Sequence, residues 1–451
     1  MSRLFGTDGV RGVAITELTP ELALNIGKAL TAYLVAQNPN HTPCIIIGKD
    51  TRMSSDCLEA ALIAGITAAG GLASTAGIVP TPAVAYLVQK HKADAGVMIT
   101  ASHNPAEFNG IKLFDRNGFK FPDSVEDEME LLIHSPESIP LKDGRGAGAI
   151  TSLVGATLDY VNRIVGISDC SLDELKILVD CANGCAALGT AKQVFNELKA
   201  DCTVINASPD GTNINDKCGS TYIESLKERV LENKFDIGIA FDGDADRMLA
   251  IDDTGAFVDG DKIIALLSAY MKQKGELKDD TAVVTVMSNL GFHSYMKANG
   301  LKTKIVSVGD RYVTEMMLAE GFSLGGEQSG HIIFGKHSTT GDGILTAVKL
   351  LNLVKTKNSK LSELVAEIPS FPQTLKNVTI ATDKKNTWEN NSAIVEVIKQ
   401  VESEGGGKSR ILVRESGTEP LLRVMLEGEN QEQIEDWADR ICEVARKELG
   451  A

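Results

Sequence analysis

A chain of 451 residues with a formal net charge of −16 is too long for a single core and too acidic for nucleic acid or an anionic membrane surface to be its main partner. Its 43% hydrophobic and 24% charged residues are those of an ordinary globular protein, and no apolar run approaches the ~20 residues of a membrane span. The start, Met1 to Gly6, has no secretory apolar core, and the eight cysteines lack the spacing of a zinc site, which fits reduced thiols and a cytoplasmic location.

The first loop, Gly6 to Gly12, packs three glycines around Arg11 and can present backbone amides and a guanidinium to an oxyanion. Thr19-Pro20-Glu21 then predicts a helix with a cap, a proline at its first position and an early acid. A strand from Cys44 to Gly48, a helix over about Asp56 to Ala69 and another strand lead to the apolar run Ala95 to Ile99. Strands alternating with helices predict a parallel sheet. The stretch Ser135 to Gly148, rich in proline and glycine, reads as a linker.

A second unit begins at the strand Lys176 to Asp180 and reaches the strand Asp236 to Phe241, followed by an excursion over Met248 to Ile251. A third carries a helix from Asp261 to Met271, strands over 282–286 and 304–308, a cap at Ser288-Asn289, and the turn Gly325 to His331. Pro369 and Pro372 flank a second linker. The tail changes rhythm, with long helices between strands over Ile411 to Arg414 and Leu422 to Leu426, so it is α+β and separate.

The chemistry concentrates at two strand exits. Ser102 follows the strand Ala95–Ile99 in Thr100-Ala101-Ser102-His103-Asn104-Pro105, and the carboxyl end of a strand is where an open α/β sheet binds ligands. Asp242, Asp244 and Asp246 alternate after Phe241, and three like charges so close need a cation. Hard oxygen donors without Cys or His favour Mg²⁺. An EF-hand would want glycine at the sixth position and glutamate at the twelfth, where Arg247 and Asp253 stand. A haloacid-dehalogenase-like phosphatase would use Asp242 as nucleophile, but Asp246 stands where such enzymes place threonine or valine; a non-catalytic sugar-phosphate sensor is a further alternative. A phosphoryl oxygen on Ser102 would complete the shell, Arg247 and Lys112 would supply the remaining positive charge, and Lys112, amid apolar neighbours, is expected to have a depressed pKa. Between the last strands, Arg414 to Pro420 offers a guanidinium, two hydroxyls and a close-approach glycine, a set suited to phosphate.

With these loops in order (Gly6–Gly12, Ala101–Pro105, Asp242–Arg247, Gly326–His331 and Arg414–Pro420), the chain resembles the α-D-phosphohexomutase superfamily over essentially its whole length. Gln328 and the N-terminal Arg3 to Gly6 tilt the resemblance toward the branch acting on glucosamine phosphate, with the phosphomannomutase/phosphoglucomutase branch as the alternative. The resemblance implies three related α/β domains with mainly parallel mixed sheets (1–148, 149–255 and 256–366) and a C-terminal α+β domain like the TATA-binding protein (373–451), around a central cleft, with a hinge near 366–373. It implies that Ser102 carries a phosphoryl group and that Ser102, Asp242, Asp244 and Asp246 bind one Mg²⁺. Lys112 would be the general base, supported by Arg247. The substrate would meet Arg11, His103 and Arg311, its hydroxyls Glu327, Ser329 and His331, and its distal phosphate Arg414, Ser416, Gly417, Thr418 and Arg423.

The activity so implied is interconversion of glucosamine 6-phosphate and glucosamine 1-phosphate through a 1,6-bisphosphate, feeding UDP-N-acetylglucosamine and cell-wall precursors. Glucosamine or glucose 1,6-bisphosphate would be intermediate or activator. A kinase or autophosphorylation would charge Ser102, and a homodimer is an open expectation. Two departures stand out: Glu415 replaces the superfamily's common proline, and Ala245 stands where glycine is common.

Overall fold

Thr19 caps the first helix as its sequence predicts. Its hydroxyl accepts from the Leu22 N–H at 3.1 Å, Pro20 takes the first helical position, and the helix runs Pro20–Gln37. It lies tightly on the helix Ser54–Ala68, because a Cβ on Gly27 would come 2.4 Å from the Leu62 carbonyl oxygen and one on Gly65 2.0 Å from that of Leu24. The computed structural model describes residues 3–6, 8–381, 384–385, 387–406, 408–415 and 420–450.

The first sheet comprises β1 (Val10–Val13), β2 (Cys44–Lys49), β3 (Leu72–Ile78), β4 (Ala95–Ile99), β5 (Phe108–Asp115) and β6 (Ile150–Ser152), in the order β1-β5-β4-β2-β3-β6. Its centre is parallel, β4 beside β2 beside β3, while β5 returns antiparallel to β4 and carries β1 on its far side. All of β4 is buried, as a strand covered on both faces must be, and Val97 and Ile99 join Ile45, Ile47, Leu58 and Leu62 in the core. The sequence put the first domain boundary at 148, but β6 lies beyond it and pairs with β3. The expected linker is held against the sheet's helices, with the Gly148 N–H bonded to the Thr67 carbonyl at 2.8 Å, so the chain leaves the first sheet only after Ser152.

The second sheet comprises β7 (Lys176–Asp180), β8 (Asp201–Ile205), β9 (Ile237–Phe241), β10 (Met248–Asp252) and β11 (Phe257–Val258), ordered β11-β10-β9-β7-β8. The third comprises β12 (Thr281–Thr285), β13 (Lys302–Val306), β14 (Leu324–Gly326) and β15 (Ile332–Phe334), ordered β13-β12-β14-β15. β13 sits two residues before its expected position, an edge strand whose Lys302, Lys304 and Ile305 are exposed, so hydrophobic alternation marks it weakly. One device recurs in all three sheets. A strand of the parallel core (β4, β9 or β14) ends in a short loop, and the chain returns as an antiparallel neighbour (β5, β10 or β15).

The tail is an antiparallel sheet, β16 (Gln373–Thr379), β17 (Ser409–Glu415) and β18 (Leu421–Gly428) in the order β16-β18-β17, covered by the helices Ser392–Gly405 and Gln431–Leu449. Its core gathers Val378, Leu422, Val424, Leu426, Trp437 and Ile441. Residues 288–299, expected in the third domain, form one compact unit with 368–451, and the remaining chain forms the other. Two bonds explain the grouping: buried Glu427 accepts from the Leu290 N–H and from the Asn289 amide, each at 3.3 Å. Asn289 is also the expected helix cap, accepting from Gly291 at 2.9 Å. All eight cysteines are free, and among the described residues no helix is long and apolar enough to cross a membrane.

Candidate active site

The loops after β4 and β9 meet. Ser102, 1% exposed, has a left-handed backbone (φ +52°), and its N–H is received by the Thr100 hydroxyl at 2.9 Å. Its Oγ donates to Asp242 Oδ2 at 2.6 Å, joining residues 140 apart in sequence. The His103 Nδ1 lies 3.4 Å from the same hydroxyl, and burial with Arg247 and Arg11 nearby lowers that ring's pKa to about 4.

Asp242, Asp244 and Asp246 are all buried and each presents an oxygen within 4.8 Å of the others. Asp242 Oδ1 accepts from the Arg247 N–H at 3.1 Å, which closes the loop on itself. Thr81, at the start of the helix Thr81–His91, donates its hydroxyl to Asp244 Oδ2 at 2.6 Å and its N–H to the Asp244 carbonyl at 3.0 Å. Burial and the two neighbouring carboxylates push Asp242 well above the usual carboxylate range. Burial opposes ionisation of Asp246 too, but Lys112, His331 and Arg247 outweigh it and hold that carboxyl well below its ordinary value. Asp244 Oδ1 and Asp246 Oδ1 are buried without a hydrogen-bond partner among the described residues. Three hard donors, two orphaned oxygens and one carboxylate driven toward protonation fit a bound divalent cation.

Lys112, 1% exposed, bonds Asp244 Oδ2 at 2.8 Å and Asp246 Oδ2 at 3.0 Å. The expected depressed pKa is therefore wrong. Burial alone would lower it, but Asp244, Asp246 and Asp8 raise it above the ordinary lysine value. The apolar residues beside Lys112 in sequence flank it along β5, while its true neighbours arrive from the second sheet.

From the third sheet, the loop after β14 brings Glu327 and His331. A bridge pairs Arg247 with His331, and His331 Nδ1 stands 3.6 Å from Asp246 Oδ1. The Gly341 N–H donates to His331 Nε2 at 3.0 Å, so the neutral ring carries its proton on Nδ1, facing Asp246. Burial and the Gly341 N–H on Nε2 both oppose a second proton, against the upward pull that Asp246, Asp310 and Glu327 exert on the ring's pKa. Burial raises Glu327, whose Oε1 accepts from the Gly309 N–H at 3.3 Å, and Ser329 Oγ is buried without a partner among the described residues.

Arg11 is partly buried, 3.2 Å from Asp8 and 3.4 Å from the Ala101 carbonyl, beside the Ser102 loop. Arg311 is turned to other work, bonding Glu126 at 2.9 Å and touching Asp123. In the tail, Arg414 and Arg423 stand directly opposite each other on β17 and β18, and burial and Arg423 lower the Arg414 pKa. Ser416, Gly417 and Thr418 lie outside the described residues.

Sequence reading missed three contributors: Thr81, Arg52 and the Lys120 bridge, which bonds Asp8 at 2.8 Å and Asp310 at 2.6 Å. For Arg52 a signal existed, since Asp50-Thr51-Arg52 leaves the carboxyl end of β2, beside the exit of β4.

Family models for phosphoglucomutase/phosphomannomutase match the chain in four consecutive pieces: alpha/beta/alpha domain I over 2–139, domain II over 158–255, domain III over 259–371 and the C-terminal domain over 375–444. The chain belongs to this family. Within it, the chain is 50% identical over 448 residues to the phosphoglucosamine mutase of Clostridium acetobutylicum, covering 99% of both, which places it among the phosphoglucosamine mutases. Among solved structures, a phosphoglucomutase/phosphomannomutase family protein from Burkholderia thailandensis shares the fold with a TM-score of 0.81 at 21% identity, covering 99% of this chain and 98% of that one. The N-acetylphosphoglucosamine mutase of Aspergillus fumigatus, in complex with GlcNAc-6P and magnesium, aligns with a TM-score of 0.69 at 18% identity, over 98% and 95% of the two chains.

Proposed function

We propose that this enzyme interconverts glucosamine 6-phosphate and glucosamine 1-phosphate, with Ser102 as the phosphoryl carrier and Mg²⁺ as the cation of the aspartate triplet. The observation that carries the reading is the 2.6 Å bond from the Ser102 hydroxyl to Asp242, which joins a nucleophile on one sheet to a cation site on another. Glucosamine follows from the phosphoglucosamine mutases that are half identical over the full chain. Magnesium is the metal of the Aspergillus fumigatus complex and suits three carboxylates.

Phosphoserine 102 gives its phosphoryl group to O1 of glucosamine 6-phosphate. The serine Oγ–P bond breaks as the O1–P bond forms, the O1 proton ends on the departing serine Oγ, and the product is the 1,6-bisphosphate. After the sugar turns over, Ser102 Oγ attacks the 6-phosphoryl group, the O6–P bond breaks as the serine proton ends on O6, and glucosamine 1-phosphate leaves. When bound, Mg²⁺ would neutralise charge on the transferring group as a Lewis acid. Asp242, Asp244 and Asp246 would hold it.

A loose phosphoryl-transfer transition state asks chiefly for position and positive charge. Lys112, expected as the general base, is raised in pKa by its carboxylates and so holds its proton; it enters instead as an ammonium that gathers phosphoryl oxygens, with Arg247 on the other side of Asp246, 4.0 Å from its Oδ1. Glu327, Ser329 and His331 would receive the sugar hydroxyls, and Arg11 and His103 would border the reacting phosphoryl group. Arg414 and Arg423, with Ser416, Gly417 and Thr418, would take the distal phosphate. The depth of Ser102 keeps water from hydrolysing the phosphoserine.

A side-by-side assay of glucosamine, glucose and mannose 6-phosphates, with Mg²⁺ and a trace of 1,6-bisphosphate, tests the reading. It predicts turnover highest by kcat/KM on glucosamine 6-phosphate. Preference for mannose or glucose phosphate would overturn the substrate assignment.

A further inference from the structure

The serine loop turns several carbonyls inward, and one guanidinium receives them. Arg52 is fully buried and anchored by its Nε to Asp50 Oδ2 at 2.8 Å. Its Nη2 donates to the carbonyls of Asn104 at 2.7 Å and Ser102 at 3.2 Å, and its Nη1 to those of Phe108 at 2.9 Å and Pro105. Two of these carbonyls are bonded a second time, from the second domain. The Asn215 amide donates to Ser102 at 2.9 Å and to Asn104 at 3.0 Å. The metal loop closes on the same point, because a Cβ on Gly243 would lie 2.7 Å from the Ser102 carbonyl and 3.0 Å from the Asn215 amide nitrogen.

We infer that Arg52 and Asn215 are positioning residues for phosphoryl transfer: a two-part clamp on the serine loop's carbonyls that holds the Ser102 hydroxyl against the aspartate triplet. Three features support it. Ser102 has a positive φ, a conformation that an L-residue keeps only where its surroundings impose it. The planar guanidinium fork reaches four carbonyls at once, which the point charge of a lysine would not. Asn215 is itself left-handed, at φ +57°, and its N–H is tied to the Ala182 carbonyl at 2.9 Å, so its amide is aimed by the second domain's backbone. The clamp fixes the distance between nucleophile and cation site from both sides without touching substrate.

The inference rests on the reading of Ser102 as phosphoryl carrier, so wild-type turnover of glucosamine 6-phosphate is measured alongside and tests that reading separately. Asn215→Gly removes the amide and keeps the left-handed backbone free of strain. Its kcat should fall about tenfold or more while KM for glucosamine 6-phosphate stays within about twofold, since displacing a reacting group by about 1 Å costs up to about a hundredfold. Asn215→Asp, which sets a carboxylate against two carbonyls, should fall further. Arg52→Lys should show the same kcat-only loss. Amide hydrogen exchange over residues 101–108 should rise in each variant, and the ³¹P resonance of phosphoserine 102 should shift, with the thermal midpoint of Asn215→Gly near wild type. Wild-type kcat in Asn215→Gly with an unmoved ³¹P resonance would overturn the clamp, as would a loss confined to KM.

Discussion

The loops Thr100–Glu107 and Asp242–Arg247 occupy the same place in two sheets and do opposite things. Each leaves the carboxyl end of a parallel strand and returns antiparallel, and each bends through one left-handed residue, Ser102 at φ +52° or Ala245 at φ +55°. The first turns its carbonyls inward toward cations of the protein, Arg52 and Arg11, and frees a hydroxyl. The second gathers carboxylates that the protein only partly neutralises, leaving Asp242 driven toward its protonated form. One fold position therefore supplies an anchored hydroxyl in one domain and an unsettled charge in the next, and the two complete each other across a 2.6 Å bond. What a strand exit does is decided by which polar groups it leaves unsatisfied.

If the division of labour is real, breaking the first loop is the most severe change. Ser102→Ala should lose mutase turnover by at least about a thousandfold while still binding glucosamine 6-phosphate by calorimetry. Breaking the second loop comes next. Asp244→Asn should remain folded by circular dichroism yet lose about a hundredfold or more of its Mg²⁺-dependent rate, and added chelator should change the remainder little. Thr81→Val touches neither loop's own residues but removes the hydroxyl received by Asp244; apparent Mg²⁺ affinity in an activity titration should weaken about tenfold. The smallest effect is at Ala245. Glycine there relieves about 1–2 kcal/mol of left-handed strain but gives up roughly 1 kcal/mol or more in unfolded-chain entropy and a buried methyl, so Ala245→Gly should change unfolding free energy by less than about 1 kcal/mol. The left-handed φ gives glycine a natural place at this position, and the same measurement shows whether alanine carries a penalty.

Much of this division could be read from the sequence where the signal was local. The buried run Ala95–Ile99 is a strand at its expected bounds, the run expected over Asp236–Phe241 is one over Ile237–Phe241, and both functional loops begin where these two strands end. Local patterning failed where the partner came from elsewhere. Lys112 sits between Ile111 and Leu113 in sequence, but side chains alternate along β5, and the carboxylates that raise its pKa lie 132 and 134 residues away. The place of Arg52 after β2 is legible in the sequence, but the backbone carbonyls it binds carry no sequence signature. Arg311, expected at the substrate, bonds Glu126 across 185 residues, a pairing invisible to motif spacing. The short strand β6 has three exposed residues and no alternation to mark it, so the first sheet's edge was assigned to the next domain.

The most direct measurement is a single-turnover chase. The enzyme is charged with labelled 1,6-bisphosphate and freed of small molecules; the label is mapped by peptide mass spectrometry, and glucosamine 6-phosphate and Mg²⁺ are then added. The label is predicted on Ser102 and, after the chase, on the sugar as bisphosphate and glucosamine 1-phosphate. Label on another residue, or its release as inorganic phosphate with none on the sugar, would contradict the account.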